Sequence, residues 1–385
     1  MVKIHIMVKN KFLKKYFFNK QILLFSSLLF FLFISVLFFG QNSWKSMGVP
    51  ALDYPFGDFN VVKNSYSLYS QGLNLAEVKY LKDTTIFNYP KVWIYISKYL
   101  NLYNNFNSSV FILLMILSYI SVYFYIMKKT FSYMPILFFF SGSSLLLIER
   151  GNIDLLIFFM VFIISLNKKY ISDIIYIAAS VLKIFPAIIL PFFMKEKILR
   201  GLIFLPVLVY LFLIKDQLEL ISSSTPMSSS TSYGVLSISI IFERYLGLEI
   251  NHLFISIILV VFSLIIYIIL NNKLKILEIN NNIRFENMFI CGGLIYVSTF
   301  LIAANWDYRL VFLTLCYPYM SIQNKISKFL FNVTLIISMH YTLLYDNFWI
   351  YGSIINQGSK IILFFIVSIY LIEIFKSKIP LIKFS

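Results

Sequence analysis

Apolar stretches of about span length recur along this chain with few charges inside them, and no other feature limits its possible folds so strongly. A helix that crosses a bilayer needs about 20 predominantly apolar residues, and it must be a helix or closed barrel because backbone groups in hydrocarbon find no water. By that measure spans are expected near 21–39, 108–127, 131–148, 153–166, 201–214, 253–270, 288–304, 308–322, 329–345 and 361–375. Composition agrees, since 59% of the 385 residues are hydrophobic and only 13% are charged, where soluble domains run at about 25% charged. The expected fold class is an all-α polytopic membrane protein, with residues 1–385 as a single transmembrane domain. A soluble Rossmann-type enzyme is excluded, and 13 glycines leave little for Gly-rich nucleotide loops. The two cysteines, Cys291 and Cys316, both lie in apolar runs, so no disulfide framework is expected.

The first apolar run, Gln21 to Phe39, exceeds a signal core of roughly 7–15 residues and no small-x-small cleavage site follows it. It is expected to remain as the first span. The stretch 170–194 is about one span long, yet it lies between Lys168/Lys169 and Lys195/Lys197/Arg200, two basic flanks that both favour the cytoplasm. Lys183 and Pro186 sit at its middle. A re-entrant hairpin that turns at Lys183-Ile184-Phe185-Pro186 satisfies both flanks, and a proline interrupts a helix there in any case.

The segments this layout puts in the cytoplasm are the N-terminal arm, the neighbourhoods of 128–129, 167–169, 195–200, 271–287 and 323–328, and the C-terminal 376–385. They hold 21 of the 33 Lys and Arg residues and a minority of the 17 Asp and Glu, so the excess behind the net charge of +16 lies there. The N- and C-termini are therefore expected in the cytoplasm. The basic balance reports topology and anionic membrane lipid, and nothing in it calls for nucleic acid. Two segments outside are long. Residues 40–107 form a first outer loop whose apolar residues recur at helical spacing from Val61 to Val78 and from Val92 to Leu102, as in interfacial amphipathic helices. Residues 215–252 form a second outer loop with a serine-rich run from Ser222 to Ser232.

Ionisable residues at span ends are costly and therefore functional candidates. Four groups collect on the outer side: Asp53 and Asp58; Glu149, Arg150, Asn152 and Asp154; Lys183; and Asn305, Asp307 and Arg309. One pocket with several cations and carboxylates suits a lipid phosphate together with a hydroxyl nucleophile, the cations holding the phosphate and a carboxylate taking the hydroxyl proton. The alternative for each residue is a helix cap or a local ion pair. Tyr89 and Trp306 can stack on sugar faces or serve an interfacial aromatic belt. There is no H-E-x-x-H, G-x-S-x-G, Walker or D-x-D motif, and His5, His252 and His340 are scattered, so no metal site and no cofactor are assigned.

These residues resemble a family. Gly57-Asp58-Phe59 after the first span, then Tyr66, Tyr69-x-x-Gly72 and Phe87-Asn88-Tyr89-Pro90, look like the first outer loop of C-class glycosyltransferases, closest to glycosyltransferase family 87 with its polyprenyl-phosphate-mannose-dependent mannosyltransferases. Glu149-Arg150-Gly151-Asn152-Ile153-Asp154 is similar to that family's Gly-(Gln/Asn)-x-(Asp/Asn) loop, Lys183-Ile184-Phe185-Pro186 to its Lys-x-(Tyr/Phe)-Pro signature, and Asn305-Trp306-Asp307-Tyr308-Arg309 to a late outer loop of bacterial members. Where members often carry Tyr-Pro-Pro, this chain has Tyr89-Pro90-Lys91. The resemblance implies a C-class fold with the ten spans and the hairpin above. It also implies inverting transfer of a mannose-like hexose from a polyprenyl-phosphate donor to a glycan or glycolipid acceptor at the outer face of a bacterial cytoplasmic membrane. Asp58 matches the aspartate that acts as general base, with Asp53 as runner-up. Lys183, Arg150 and Arg309 would meet the donor phosphate, while Tyr89, Glu149, Asn152, Asp154, Asn305, Trp306 and Asp307 would line the sugar and acceptor side. Two competing readings are a surface-polysaccharide polymerase, which usually keeps its largest loop late in the chain, and a flippase or transporter of lipid-linked sugars, which would bury charges deep within several spans.

Overall fold

The structure is a computed structural model and describes residues 2–73, 75, 87–167, 170–194, 198–218, 231–273, 282–302 and 305–378. Among the described residues, five helices are long and apolar enough to cross a membrane: Tyr16–Phe39, Asn105–Thr130, His252–Leu270, Ile283–Ile302 and Gly352–Lys376. By their length and apolarity this is an all-α membrane protein. Residues 76–78, 168–169, 195–197, 219–230, 274–281 and 379–385, which carry several basic flanks and most of the serine-rich run, lie outside the described residues.

Helices α1 (Val2–Phe39) and α2 (Gln41–Ser46) lead into the first loop, which carries α3 (Gly57–Ser70) and α4 (Val92–Tyr99). These two helices pack on one another, Ser97 of α4 donating to the Lys63 carbonyl of α3 at 2.9 Å, and the Phe59 and Trp93 rings both lie against Phe111. Helix α5 (Asn105–Thr130) starts at Asn104, whose side chain accepts from the Phe106 amide at 2.8 Å. The stretch 131–148, read above as one span, is split into α6 (Met134–Phe139) and α7 (Gly142–Glu149). Ser141 makes the break: its hydroxyl accepts the Ser144 amide at 3.3 Å and starts α7 afresh. Helices α8 (Asp154–Ser165) and α9 (Tyr170–Leu182) follow.

The chain reverses after α9. A 3-10 turn over Phe185–Ile189 and the short α10 (Leu190–Met194) run back along it. Tyr176 donates to the Ala187 carbonyl at 2.9 Å and its ring lies 4.9 Å from that of Phe193, while Arg200 Nη2 reaches Asp173 Oδ1 at 2.5 Å. Lys183 is thus at the tip of a hairpin. After α11 (Phe204–Leu213), the strand β1 (Ser232–Tyr233), α12 (Val235–Leu246), α13 (His252–Lys273) and α14 (Ile283–Ile302), a second strand β2 (Asn305–Trp306) pairs antiparallel with β1.

The expected span at 308–322 is a 3-10 segment over Asp307–Leu315 followed by α15 (Tyr317–Met320), and it is buried from Leu310 to Met320, with Arg309, Ser321 and Ile322 only partly covered. The reason is a close approach. A Cβ on Gly292 of α14 would collide with the Phe312 carbonyl, and one on Gly293 would meet Val367 Cγ1 at 2.9 Å. The two glycines let α14 touch the 3-10 segment on one side and the C-terminal helix on the other. Helices α16 (Lys325–Met339) and α17 (Tyr341–Lys378) complete the chain.

Gly292→Val is expected to lower thermal stability in detergent by about 1–3 kcal/mol, the usual cost of overpacking a core. Gly358→Ala, where nothing lies within 4 Å, should leave the midpoint unchanged or slightly raised. Equal midpoints for Gly292→Val and the wild type would mean the segment does not pack against α14.

Candidate active site

The turn between α7 and α8 docks on the first loop through its backbone. The Glu149 carbonyl accepts the Phe56 amide at 3.0 Å, and the Arg150 carbonyl accepts those of Asp58 and Phe59 at 3.1 and 3.3 Å. Gly151 permits this contact for two reasons. Its φ is +57°, and a Cβ there would sit 3.0 Å from Phe56 Cβ and 3.2 Å from Phe59 Cβ. Asp58, in the first turn of α3, is thereby brought beside Asn152, whose Nδ2 donates to Asp58 Oδ2 at 2.5 Å and to the Tyr308 hydroxyl at 3.2 Å. Arg150 Nη1 stands 4.0 Å from Asp58 Oδ1.

Asp154 is the hub below this. Its carboxylate is wholly buried, with Lys183 Nζ at 2.7 Å from one oxygen and Arg309 Nε at 3.1 Å from the other. Lys183 also donates to Asn152 Oδ1 at 3.1 Å and stands 5.0 Å above the Tyr89 ring, so its three N–H directions have partners. Arg309 bonds Asn305 through Nη1 and lies 4.9 Å over Phe185. A second buried pair braces this late loop: Lys360 Nζ meets Asp307 at 2.8 Å, and both Lys360 and Gln357 donate to the Ser232 carbonyl, at 3.2 and 2.7 Å. The Asp307 amide donates to Thr231 at 3.0 Å.

All four sequence-derived groups therefore meet at one end of the bundle, with one exception. Asp53 stands off the cluster, 86% exposed and paired with Lys45 at 2.9 Å, and that ammonium holds its carboxyl below the usual range. Asp58 is 21% exposed, so a carboxylate at the mouth of the cluster keeps access to solvent. Trp306 is half-buried and stacks parallel on Tyr308 with centroids 6.5 Å apart. Tyr89 is buried, which pushes its phenol well above its ordinary value and keeps it neutral. The sequence motifs include Phe185 and Tyr308 without giving either a role, and sequence reasoning missed Lys360 and Gln357. Lys360 borders the span expected at 361–375 and reads as an ordinary basic flank; only its partner Asp307, 53 residues away, shows otherwise.

Four cations (Arg150, Lys183, Arg309, Lys360) face four carboxylates (Asp58, Glu149, Asp154, Asp307). Burial raises the Glu149 carboxyl to about 7, opposed by Arg150 Nε at 3.3 Å and by the Leu52 amide at 3.2 Å. With Glu149 protonated the cluster carries a net +1 and suits an anion. Comparison with protein-family models, curated proteins and solved structures finds no match for this chain.

Because Glu149 holds its proton more tightly when folded, it stabilises the protein less as pH rises from about 4.5 through about 7. Unfolding measured at pH 5 and pH 8 should show Glu149→Gln gaining on the wild type by at most a few kcal/mol over that interval; no change in the gap would place the carboxyl in water. Lys360→Met, which strands a buried carboxylate, should cost about 3–5 kcal/mol, and adding Asp307→Asn should restore part of it. Strictly additive losses in the double variant would deny the coupling.

Proposed function

We propose that this protein is a membrane glycosyltransferase that moves a sugar, a mannose-like hexose, from a polyprenyl-phosphate donor to a glycan or glycolipid acceptor at the outer membrane face. What carries the reading is that Asp58 from the first loop lies within a hydrogen bond of the turn that holds Arg150, Asn152 and Asp154, and that Lys183 and Arg309 close on the same turn. Those are the segments on which the likeness to C-class glycosyltransferases of family 87 rests, drawn from positions some 250 residues apart in the chain.

The chemistry follows from the inventory. The acceptor hydroxyl gives its proton to Asp58 as its oxygen bonds to the anomeric carbon, and the bond from that carbon to the phosphate oxygen breaks. Polyprenyl phosphate leaves with the bonding pair. One displacement by an external hydroxyl inverts the anomeric centre, unlike the two displacements through a carboxylate nucleophile that retain it. Each guanidinium has five N–H donors. Arg309 commits Nε and one Nη to Asp154 and Asn305, and Arg150 commits Nε and one Nη to Glu149 and the Pro50 carbonyl. Both retain donors for the charge that builds on the leaving phosphate. Lys183, by contrast, is committed to Asp154, Asn152 and Tyr89, and acts by holding the hairpin tip and the net positive field in place.

The test incubates purified protein with a panel of polyprenyl-phosphate sugars and a lipid-linked acceptor, following polyprenyl phosphate release and the anomeric configuration of the product. Asp58→Asn should lose at least about 100-fold in turnover, the low end of general-base catalysis, with its unfolding midpoint kept; Asp53→Asn should stay near wild type. A large loss in Asp53→Asn alone would move the base. Sugar-lipid movement across vesicles without phosphate release would make the protein a transporter, and chain-length growth from one repeating unit would make it a polymerase.

A further inference from the structure

The opposite end of the bundle holds a site of different chemistry. Helix α5 joins the two ends: Lys63 of α3 donates to Asn105 at its start, at 2.6 Å, and Lys129 stands at its finish, on the order of 40 Å away at 1.5 Å per residue. Beside Lys129 a cavity of about 370 Å³ opens between α1, the turn after α5, and the starts of α14 and α16. Two lysines, Lys129 and Lys328, line it, and among the described residues no carboxylate does. Glu286, next along the chain from the lining residue Phe285, is buried in the bundle and is not part of the wall.

The hydroxyls in this cavity have defined polarity. Ser132 Oγ accepts from the Tyr317 hydroxyl at 2.6 Å and from the Met134 amide at 3.2 Å, which fills both lone pairs and leaves its own O–H to donate. Ser321 Oγ donates to the Pro318 carbonyl at 2.7 Å, so its lone pairs are what it offers. The cavity therefore presents donors from Lys129, Lys328 and Ser132, and an acceptor from Ser321. Donors around a positive centre match a phosphate, and an acceptor beside them matches a neighbouring hydroxyl. A quaternary or primary ammonium headgroup would meet the two lysines and be repelled.

The surroundings indicate where such a phosphate comes from. Phe17, one residue into the apolar span Tyr16–Phe39, forms part of the wall with its ring 5.1 Å from that of Tyr133. That span is hardly covered by the rest of the molecule, and Leu23, Phe30 and Phe31 are among its exposed side chains. A phosphate seated between the lysines lies at the membrane boundary with an apolar helix face running away from it, where acyl chains fit. We propose that this cavity binds the phosphate of an anionic phospholipid whose headgroup is an uncharged polyol, such as phosphatidylglycerol. The site stands apart from the cluster around Asp154, and it holds whether or not that cluster transfers sugar.

The test uses full-length protein in phosphatidylcholine nanodiscs, doped with increasing phosphatidylglycerol, and reads the thermal unfolding midpoint and the lipid retained after exchange into detergent. The wild type should show a saturable rise in midpoint and about one phosphatidylglycerol retained per chain. Lys129→Gln/Lys328→Gln should bind it at least about 10-fold more weakly, as loss of charged hydrogen-bond donors implies, while Lys98→Gln at the other end should bind as the wild type does. Should the double variant fold poorly, Ser132→Ala removes one neutral donor and should still weaken binding a few-fold. Equal retention in the wild type and in the lysine or serine variants would overturn the proposal. Protection by free glycerol phosphate at the same concentration would overturn its lipid part and assign the seat to a soluble phosphate.

Discussion

Asp154 lies where three parts of the chain meet, and the arrangement at this end of the molecule depends on it. A carboxylate with no exposed surface survives only if its charge is matched and its oxygens are bonded. Lys183 and Arg309 supply both, one from the tip of a hairpin and the other from the late loop. Asn152, two residues before Asp154, accepts from Lys183 and donates to Asp58, so the same contacts that neutralise the buried charge also orient the more exposed carboxylate. One short turn thus both neutralises the buried charge and positions Asp58.

That turn depends in its own right on backbone geometry. Three carbonyl-to-amide bonds tie Glu149 and Arg150 to residues 56, 58 and 59, and Gly151 supplies both the left-handed conformation and the missing Cβ that the approach requires. The second buried pair works similarly on the far side. Lys360 and Gln357 hold the Ser232 carbonyl while Lys360 neutralises Asp307, so β1, β2 and the C-terminal helix are fastened together beside Arg309. Buried ion pairs of this sort bring little net stability against apolar replacements, yet removing one partner is costly. Their contribution here is to fix which segments meet.

The two ends of the molecule differ in charge. At the Asp58 end four cations and four carboxylates balance one for one until Glu149 takes a proton. At the Lys129 end no carboxylate among the described residues lines the cavity beside the two lysines. Both follow from where carboxylates sit along the chain, since the basic residues are plentiful and the acidic ones few.

The sequence by itself determined the class of the molecule, because the length of an apolar run and the cost of an unpaired backbone in hydrocarbon are local properties. It also singled out most of the polar residues that meet, since ionisable groups at span ends are costly wherever they lie. The hairpin at Lys183 was legible too, from a proline and a lysine in mid-run. Only the tertiary structure decided which carboxylate stands in the cluster, because Asp53 and Asp58 differ by five positions and the choice is made by an asparagine 94 residues from Asp58. It likewise decided that 308–322 is an enclosed 3-10 segment and that Lys360 is paired, through Gly292 in one case and Asp307 in the other. Such pairings join residues dozens to more than a hundred positions apart. No periodicity encodes them; they follow from packing many helices around a few buried charges.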